Sequence, residues 1–407
     1  MKARRVDLST WVCVAATLLG LGQSAARLSP VNVTNLPLAH GLSGAAVSGN
    51  YLYTIGSGFQ IFNISNPANP TNVSTTTIPG GGGRLAVSGN YAYVTESTNA
   101  AGGGRLDIFD ISNPANPLQA GSVEGTWGGW SGFAVSDGRA YLPGSDGSSL
   151  GVFIYDVSTP GNPLELGRWA DPGLIATSIA VSGHYAYLSC TDTEAGADGF
   201  QVWDVSNPAL PQQVGFLPLH YGWQSDIAVE GDYAYVAKGT TNALLIFNVS
   251  DPVNPVIVAT PVCLIDAGVA LCGNYACMAW DGQLSGVDIS NPTNSTVAFW
   301  GQPGLAYTAW CFKPAVSHGY AFLPSTFGLN VWSLGIPSPS LHISTTPGNP
   351  VVLSWPTPGG AFSIQQSSGL NPVSWLTLTN QSVVIDSHNQ VTLPAMPGSM
   401  FYRLVAD

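Results

Sequence analysis

One eight-residue phrase recurs seven times along the chain, and recurrence at a steady spacing constrains the fold more than any other feature. It reads AVSGNYLY from Ala46, AVSGNYAY from Ala86, AVSDGRAY from Ala134 and AVSGHYAY from Ala180. It continues as AVEGDYAY from Ala228, ALCGNYAC from Ala270 and AVSHGYAF from Ala315, at intervals of 40 to 48 residues. Two short alternating apolar runs flank Gly-Asn, Asp-Gly, Gly-His or Gly-Asp, which predicts a tight β-hairpin whose turn needs φ > 0. Ala opens every copy, as suits an innermost strand where seven copies converge and a larger side chain would crowd the centre.

A second phrase begins 15 to 22 residues after the first: IFNISNPANP from Ile61, IFDISNPANP from Ile108, IYDVSTPGNP from Ile154 and VWDVSNPALP from Val202. It returns as IFNVSDPVNP from Ile246 and, more weakly, as GVDISNPTNS from Gly286. Its residues predict a third strand running into an Asx-Pro turn, in which the Asn or Asp side chain bonds the backbone ahead and proline ends the ladder. A fourth apolar run, such as Val256 to Ala259, completes each unit. Four short strands repeated seven times are the make-up of a β-propeller. The last copy, Ala315 to Pro339, lacks a fourth strand, while an orphan strand, Val31 to Leu36, precedes the first copy. Pairing the two would close the ring within the last blade and cover its open edge; the alternative is an open solenoid.

The two phrases, recurring in order, resemble the LVIVD repeat of exported bacterial propellers over roughly residues 30–337. The seventh copy departs from the pattern, with Ser333-Leu334-Gly335-Ile336-Pro337 where the others have D-V-S-N-P. The resemblance implies a seven-bladed propeller on an exported or surface protein and carries over no catalytic residue.

After Pro337-Ser338-Pro339-Ser340 the period breaks. Short apolar runs at Val351–Trp355, Phe362–Ser367, Trp375–Leu378, Val383–Ile385, Gln390–Pro394 and Phe401–Val405 predict a small β-sandwich over 338–407. Its closing Phe-Tyr-Arg-Leu is similar to the fibronectin-III-like modules that end many exported bacterial proteins, which implies an accessory or anchoring role. The whole chain is therefore expected to be all-β: a propeller over 27–337 with its N-terminal strand closing the last blade, then the sandwich.

Composition agrees and narrows the partners. Charged residues make up 8% of the chain, against roughly 25% in an average soluble domain. Want of Glu, Lys and Arg excludes long charged helices and a coiled coil, 48 Gly and 30 Pro point to a turn-dense chain, and 41 aromatic residues argue against disorder. Residues 1–26 read as a secretory signal: Lys2, Arg4 and Arg5, then an apolar core from Trp11 to Leu21, then Ser24-Ala25-Ala26 for cleavage. No later apolar run reaches the ~20 residues of a membrane-spanning helix, and the expected location is secreted or cell-surface. Cleavage would leave 8 Lys and Arg against 22 Asp and Glu, a field opposed to nucleic acid. Of Cys190, Cys263, Cys272, Cys277 and Cys311, an odd count of five, the expectation is buried apolar thiols, with one disulfide among the last four as the alternative.

No catalytic motif is present: neither a G-x-S-x-G elbow, nor HExxH, a P-loop or an EF-hand loop. His184 and His318 occupy hairpin-turn positions and read as turn residues. Function is better sought in the loops that lead from each fourth strand to the next first strand, because loops on a rigid ring can vary freely. These carry His40, Arg84, Trp127 and Trp130, then His220, Tyr221 and Trp223, and finally Tyr307, Trp310 and Lys313. The aromatic rim of Trp127, Trp130, Tyr221, Trp223, Tyr307 and Trp310 suits stacking on sugar rings or an apolar ligand, with blade packing as the alternative role, and a glycan or a surface protein is the expected partner. Asp226, just before the fifth inner strand, and His220 are the only acid–base candidates for the alternative, a secreted polysaccharide lyase or glycosidase. Asp146, Asp192, Glu194 and Asp198, read as loop acids between second and third strands, are the one candidate set for Ca²⁺; no other cofactor or metal is expected. The expected function is a non-catalytic binding or adhesion scaffold.

Overall fold

The structure, a computed structural model, describes residues 4–6 and 28–406 except 29, 39–40, 79–80, 98–102, 126–131, 146–149, 171–173, 193–197, 220–223, 239–242, 264–267, 281–282, 302–311, 318, 336–340, 345–349, 357–361, 369–374, 379–381, 386–387 and 395–399. The described secondary structure is β-strand, with one 3₁₀ turn at Pro292–Asn294. Two compact units are present: Ser29–Leu271 with Tyr275–Gly335, and Met1–Leu28 with Cys272–Asn274 and Ile336–Asp407.

The larger unit is built from seven antiparallel four-stranded sheets. Blade 1 runs outward through Leu42–Ser48, Tyr51–Gly56, Gly58–Asn63 and Thr71–Thr77, in sequence order, and blades 2 to 6 repeat that order. The predicted hairpin joins the first two strands of each blade. Its turn glycine has positive φ, for example +56° at Gly89, and in the Asp137–Gly138 turn even Asp137 is held at +49°. The Asx-Pro turn forms in six copies: Asn63, Asp110, Asp156, Asp204, Asn248 and Asp288 each accept the backbone N–H two residues ahead at 2.8–2.9 Å. After five of these acceptors, Asn63, Asp110, Asp156, Asp204 and Asn248, the next residue donates its N–H to a carbonyl of the hairpin turn, as Ile111 does to Asn90 and Val205 to His184 at 2.8 Å. The two recurring phrases are therefore one mechanical unit, in which the end of the third strand is tied to the tip of the first hairpin.

Blade 7 has only three strands of its own, Ala315–Ser317, Tyr320–Ser325 and Gly328–Ser333. Its fourth is the N-terminal strand Val31–Pro37, antiparallel to Gly328–Ser333 with Val31 opposite Ser333 and Pro37 opposite Gly328. The expected closure thus forms, and one buried core joins blade 7 to blade 1 through Leu42, Leu52, Phe62, Phe322, Leu329 and Val331.

Shared cores of the same kind join blades 1 and 2, 2 and 3, 3 and 4, 4 and 5, and 5 and 6. On the inner strand of a blade the Val after the recurring Ala packs backward, as Val181 does on the blade 3–4 core. The Ala itself packs forward, as Ala180 does on the blade 4–5 core. Ring stacking bridges several junctions, with centroids 5.1 Å apart for Phe59–Phe109, 4.7 Å for Trp169–Trp203 and 4.1 Å for Phe200–Phe247. The expected buried thiols include Cys263 and Cys277, both fully buried, and burial pushes the Cys263 thiol up to about 12. Cys311 lies outside the described residues.

The smaller unit holds two four-stranded sheets. One orders Arg4–Val6, Met400–Ala406, Phe362–Ser367 and Leu376–Thr377; the other His342–Ser344, Val351–Pro356, His388–Leu393 and Val383–Ile385. Leu353, Trp355, Val391 and Leu393 from one sheet share a buried core with Ile364, Tyr402 and Leu404 from the other. The six expected strands are present, and Arg4–Val6 and His342–Ser344 are added to them.

Deleting residues 29–38 should strip blade 7 of its outer strand and bare the Gly328–Ser333 edge. The expected result is a lower melting temperature together with oligomers on size-exclusion chromatography. A monomer with unchanged melting would contradict the closure.

Candidate functional site

The first strands of all seven blades face a common axial cavity of about 310 Å³. Two residues before the recurring Ala, every blade contributes one residue at equivalent depth: Gly44, Arg84, Gly132, Ser178, Asp226, Gly268 and Lys313 in blades 1 to 7. Six of the seven line the cavity and the seventh, Gly268, lies beside Asp226 and Lys313. Read around the ring, four polar side chains alternate irregularly with three glycines.

Local backbone geometry delivers these side chains. In blades 1, 4 and 5 the register between first and second strands shifts immediately before the ring residue, as between Gln224 and Asp226 or Ala176 and Ser178, and in blade 2 the shift, from Gly82 to Leu85, encloses the ring residue Arg84. Such bulges re-aim the residues that follow them and recur beside functional sites. The extra residues help satisfy the disturbed backbone: the Ser43 hydroxyl donates to the Gly82 carbonyl at 2.8 Å and that of Thr177 to the Ser189 carbonyl at 3.0 Å.

Asp226 is the hub, at 6% exposure. One carboxylate oxygen accepts the Ser178 hydroxyl of blade 4 at 2.8 Å. The other accepts the Val269 N–H of blade 6 at 3.1 Å and pairs with the Lys313 ammonium of blade 7 at 2.8 Å. A single carboxylate thus ties together four consecutive blades. Lys313 reaches Asp226 past blade 6 because the ring residue there is glycine. A Cβ on Gly268 would lie 2.9 Å from Lys313 Cα and Cβ and 3.1 Å from Asp226 Oδ2, and φ at this position is +152°. In the same way, a Cβ on Gly132 would press into Ser178. Arg84 lines the same cavity, its N–H donating to the Thr95 hydroxyl at 2.9 Å. Burial pushes the Arg84 guanidinium below its ordinary value and the Asp226 carboxylate pulls it back up. Both cations and the anion therefore act on one another in a space walled by Ala45, Ala46, Ile179, Ala270 and Ala315, where charges interact more strongly than in water.

Asp226 and Arg84, placed in connecting loops by sequence, lie within the inner strands Gln224–Glu230 and Gly82–Ser88, because the bulges let those strands begin earlier than the recurring phrase. Lys313 lies two residues before Ala315–Ser317. Trp127, Trp130, His220, Tyr221, Trp223, Tyr307 and Trp310 fall outside the described residues, as do His40, Asp146, Glu194 and His318. Asp192 and Asp198 are ends of the strands Tyr185–Asp192 and Asp198–Asp204 instead of loop residues, their backbones held by the ladder of blade 4. Among the described residues no three His, Cys, Asp or Glu side chains converge to hold a metal. His184 sits at its hairpin turn as expected, exposed, its carbonyl used by Val205. Ser178 was not singled out from sequence; comparing one column of the repeat across all seven copies would have found it.

Removing the hub should loosen the ring. Asp226→Ala is expected to cost about 3 kcal/mol in unfolding free energy and Asp226→Asn about half as much, since Asn keeps an acceptor for Ser178. Gly268→Ala should cost about 1–3 kcal/mol through its backbone conformation and crowding. Urea denaturation of the full chain measures all three; wild-type values would show that Asp226 does not tie the blades.

Five segments match the LVIVD repeat, residues 43–77, 79–125, 175–216, 222–260 and 267–299, which fall on blades 1, 2, 4, 5 and 6. No functionally curated protein matches the sequence. Solved structures of similar fold include a protein from Lactobacillus plantarum, 15% identical over 67% of this chain and 88% of its own, with a TM-score of 0.55. Hydrazine synthase of Kuenenia stuttgartiensis is 14% identical over 77% of this chain and 98% of its own, also with a TM-score of 0.55. The WD40 β-propeller domain of Doa1 gives 8%, 75%, 97% and 0.55 in the same order. At such identities these likenesses carry the fold alone. With seven four-stranded antiparallel sheets and five segments similar to the LVIVD repeat, the chain is an all-β, propeller-type repeat protein.

Proposed function

We propose that the protein is a non-catalytic binding or adhesion scaffold, secreted or held at the cell surface, that presents a ligand site at the mouth of its axial cavity. The observation that carries this reading is the state of Asp226. Both of its oxygens are engaged by Ser178, Val269 and Lys313, an arrangement suited to holding blades in place and unsuited to moving a proton. Asp226 is also the acid that a lyase or glycosidase at this site would need alongside His220, so its engagement weighs against the enzyme reading.

The aromatic residues extend the site in sequence. Trp130 precedes Gly132 of the ring by two residues, Trp223 precedes Asp226 by three, and Trp310 precedes Lys313 by three. Stacking of sugar rings on these aromatic residues, which lie close in sequence to the charged ring positions, is the mode of binding we favour. Residues 338–407, read as a β-sandwich of fibronectin-III-like type, would serve as the accessory or anchoring module. Residues 1–26 would direct export; their cleavage would remove the edge strand Arg4–Val6 from one sheet of the smaller unit, leave the other three strands of that sheet, and start the mature chain at Arg27.

Glycan-array binding by the wild-type chain, lost on combining Trp130→Ala, Trp223→Ala and Trp310→Ala with melting retained, is the expected outcome. Binding that survives all three substitutions would remove the aromatic rim from the site, and cleavage of a bound polysaccharide would overturn the non-catalytic reading. N-terminal sequencing of the exported protein should start at Arg27, and protein retained in the cytoplasm at full length would refute export.

A further inference from the structure

We infer that the sheet edge Met400–Ala406 is an interface between two copies of the exported chain, covered before export by the N-terminal segment Arg4–Val6. The inference rests on the export reading above and adds what cleavage would set free. Its first support is the strand itself. Met400–Ala406 reads Met-Phe-Tyr-Arg-Leu-Val-Ala, with no Gly or Pro and a single charge, rich in aromatic and branched side chains that favour a pleated ladder. On one side it pairs with Phe362–Ser367 over six positions. On the other it holds Arg4–Val6, with Arg4 opposite Tyr402, Arg5 opposite Phe401 and Val6 opposite Met400.

The second support is how the other edges of the smaller unit are kept. The same sheet ends on its far side in Leu376–Thr377, two residues long, and the other sheet ends in His342–Ser344 and Val383–Ile385, three residues each. Short edge strands offer a foreign strand little to pair with, which is one way sheets escape edge-to-edge association. Met400–Ala406 lacks that protection. Among the described residues its cover is three residues of the segment read as a secretory signal. Cleavage after Ala26 would remove the cover and bare a seven-residue edge.

A second copy fits this edge. An antiparallel strand can pair with its own copy across a two-fold axis, each supplying what the other lacks, so assembly stops at two. Side chains directly opposite one another share a face, so the axis must pass at a residue and not between two. At Arg403 it would set two guanidinium groups against each other. At Tyr402 it sets Phe401 of each copy opposite Arg403 of the other and Met400 opposite Leu404, which puts each cation beside an aromatic ring. Arg403 already takes such a neighbour, its guanidinium carbon 4.4 Å over the Trp375 ring and its Nε donating to Gln365 Oε1 at 2.8 Å. Tyr402 and Leu404 face the core of the smaller unit, so the pairing would join two sheets edge to edge with that core kept covered.

Light scattering after size-exclusion chromatography, on the full chain and on protein collected after export, tests the assignment. The full chain should run at monomer mass, and the chain beginning at Arg27 at twice its own monomer mass. Exchange of the Met400–Leu404 amides should slow about tenfold as the exported protein is concentrated from monomer to dimer. A synthetic peptide of residues 2–8, Lys-Ala-Arg-Arg-Val-Asp-Leu, should return the dimer to monomer when added in excess. Phe401→Lys, which sets like charges opposite at Arg403 of the second copy, should weaken the dimer about tenfold. The peptide arm needs no variant and stands if Phe401→Lys fails to fold. An exported chain that stays monomeric at every concentration would overturn the inference and leave the export and scaffold readings intact. A dimer that ignores the peptide and leaves Met400–Leu404 exchange unchanged would put the contact elsewhere and overturn it as well. Exported protein that keeps residues 1–26 would overturn both this inference and the export reading.

Discussion

Among the described residues, six of the seven junctions between neighbouring sheets of the larger unit hold a shared buried core, and the rest of the structure depends on that two-sided burial. A lone four-stranded blade would leave Ile, Val, Phe and Tyr side chains open to water on each side. Packed between neighbours, the same side chains form junctions such as Phe200 on Phe247 and Trp169 on Trp203. At roughly 25 cal/mol per Å² of apolar surface removed from water, such junctions are the main favourable contribution. This explains the low charge of the chain: a blade has no outer face on which to spread Lys and Glu.

Two-sided burial also demands closure, since an open stack would end in two uncovered faces. The chain closes by lending Val31–Pro37 to the last blade, so that residues some 300 positions apart share a sheet and a core. Closure creates the axis, and with it a place where seven equivalent positions meet. At that level the chain breaks its own symmetry, with Arg84, Ser178, Asp226 and Lys313 at four positions and glycine at the others. The glycines at 132 and 268 follow from their neighbours, because a larger residue would collide with Ser178 or with the Asp226–Lys313 pair.

Much of this was legible in the repeated phrases. The hairpin at Gly89, the Asx-Pro turn at Asp110 and the closing strand at Val31 each follow from local chemistry, namely positive φ, a side-chain acceptor two residues behind an N–H, and an unpaired edge. The site was harder to read because its members are strangers in sequence: Ser178, Asp226 and Lys313 lie 48 and 87 residues apart. Sequence drew attention to Asp226, Arg84 and Lys313 one by one as loop residues. The bulges that move two of them into strands leave no composition signal, since Gln224-Ser225-Asp226 looks like any polar approach to a strand.

By itself the sequence determined the blade, the number of blades and the way the ring closes, because these depend on interactions within about 20 residues repeated seven times, or on a missing strand that only one other segment could supply. Only the tertiary structure decided that one carboxylate would hold four blades and that two cations would share its cavity. Those contacts join consecutive blades through chain segments with no local relation, and their distances exist only once the blades have packed.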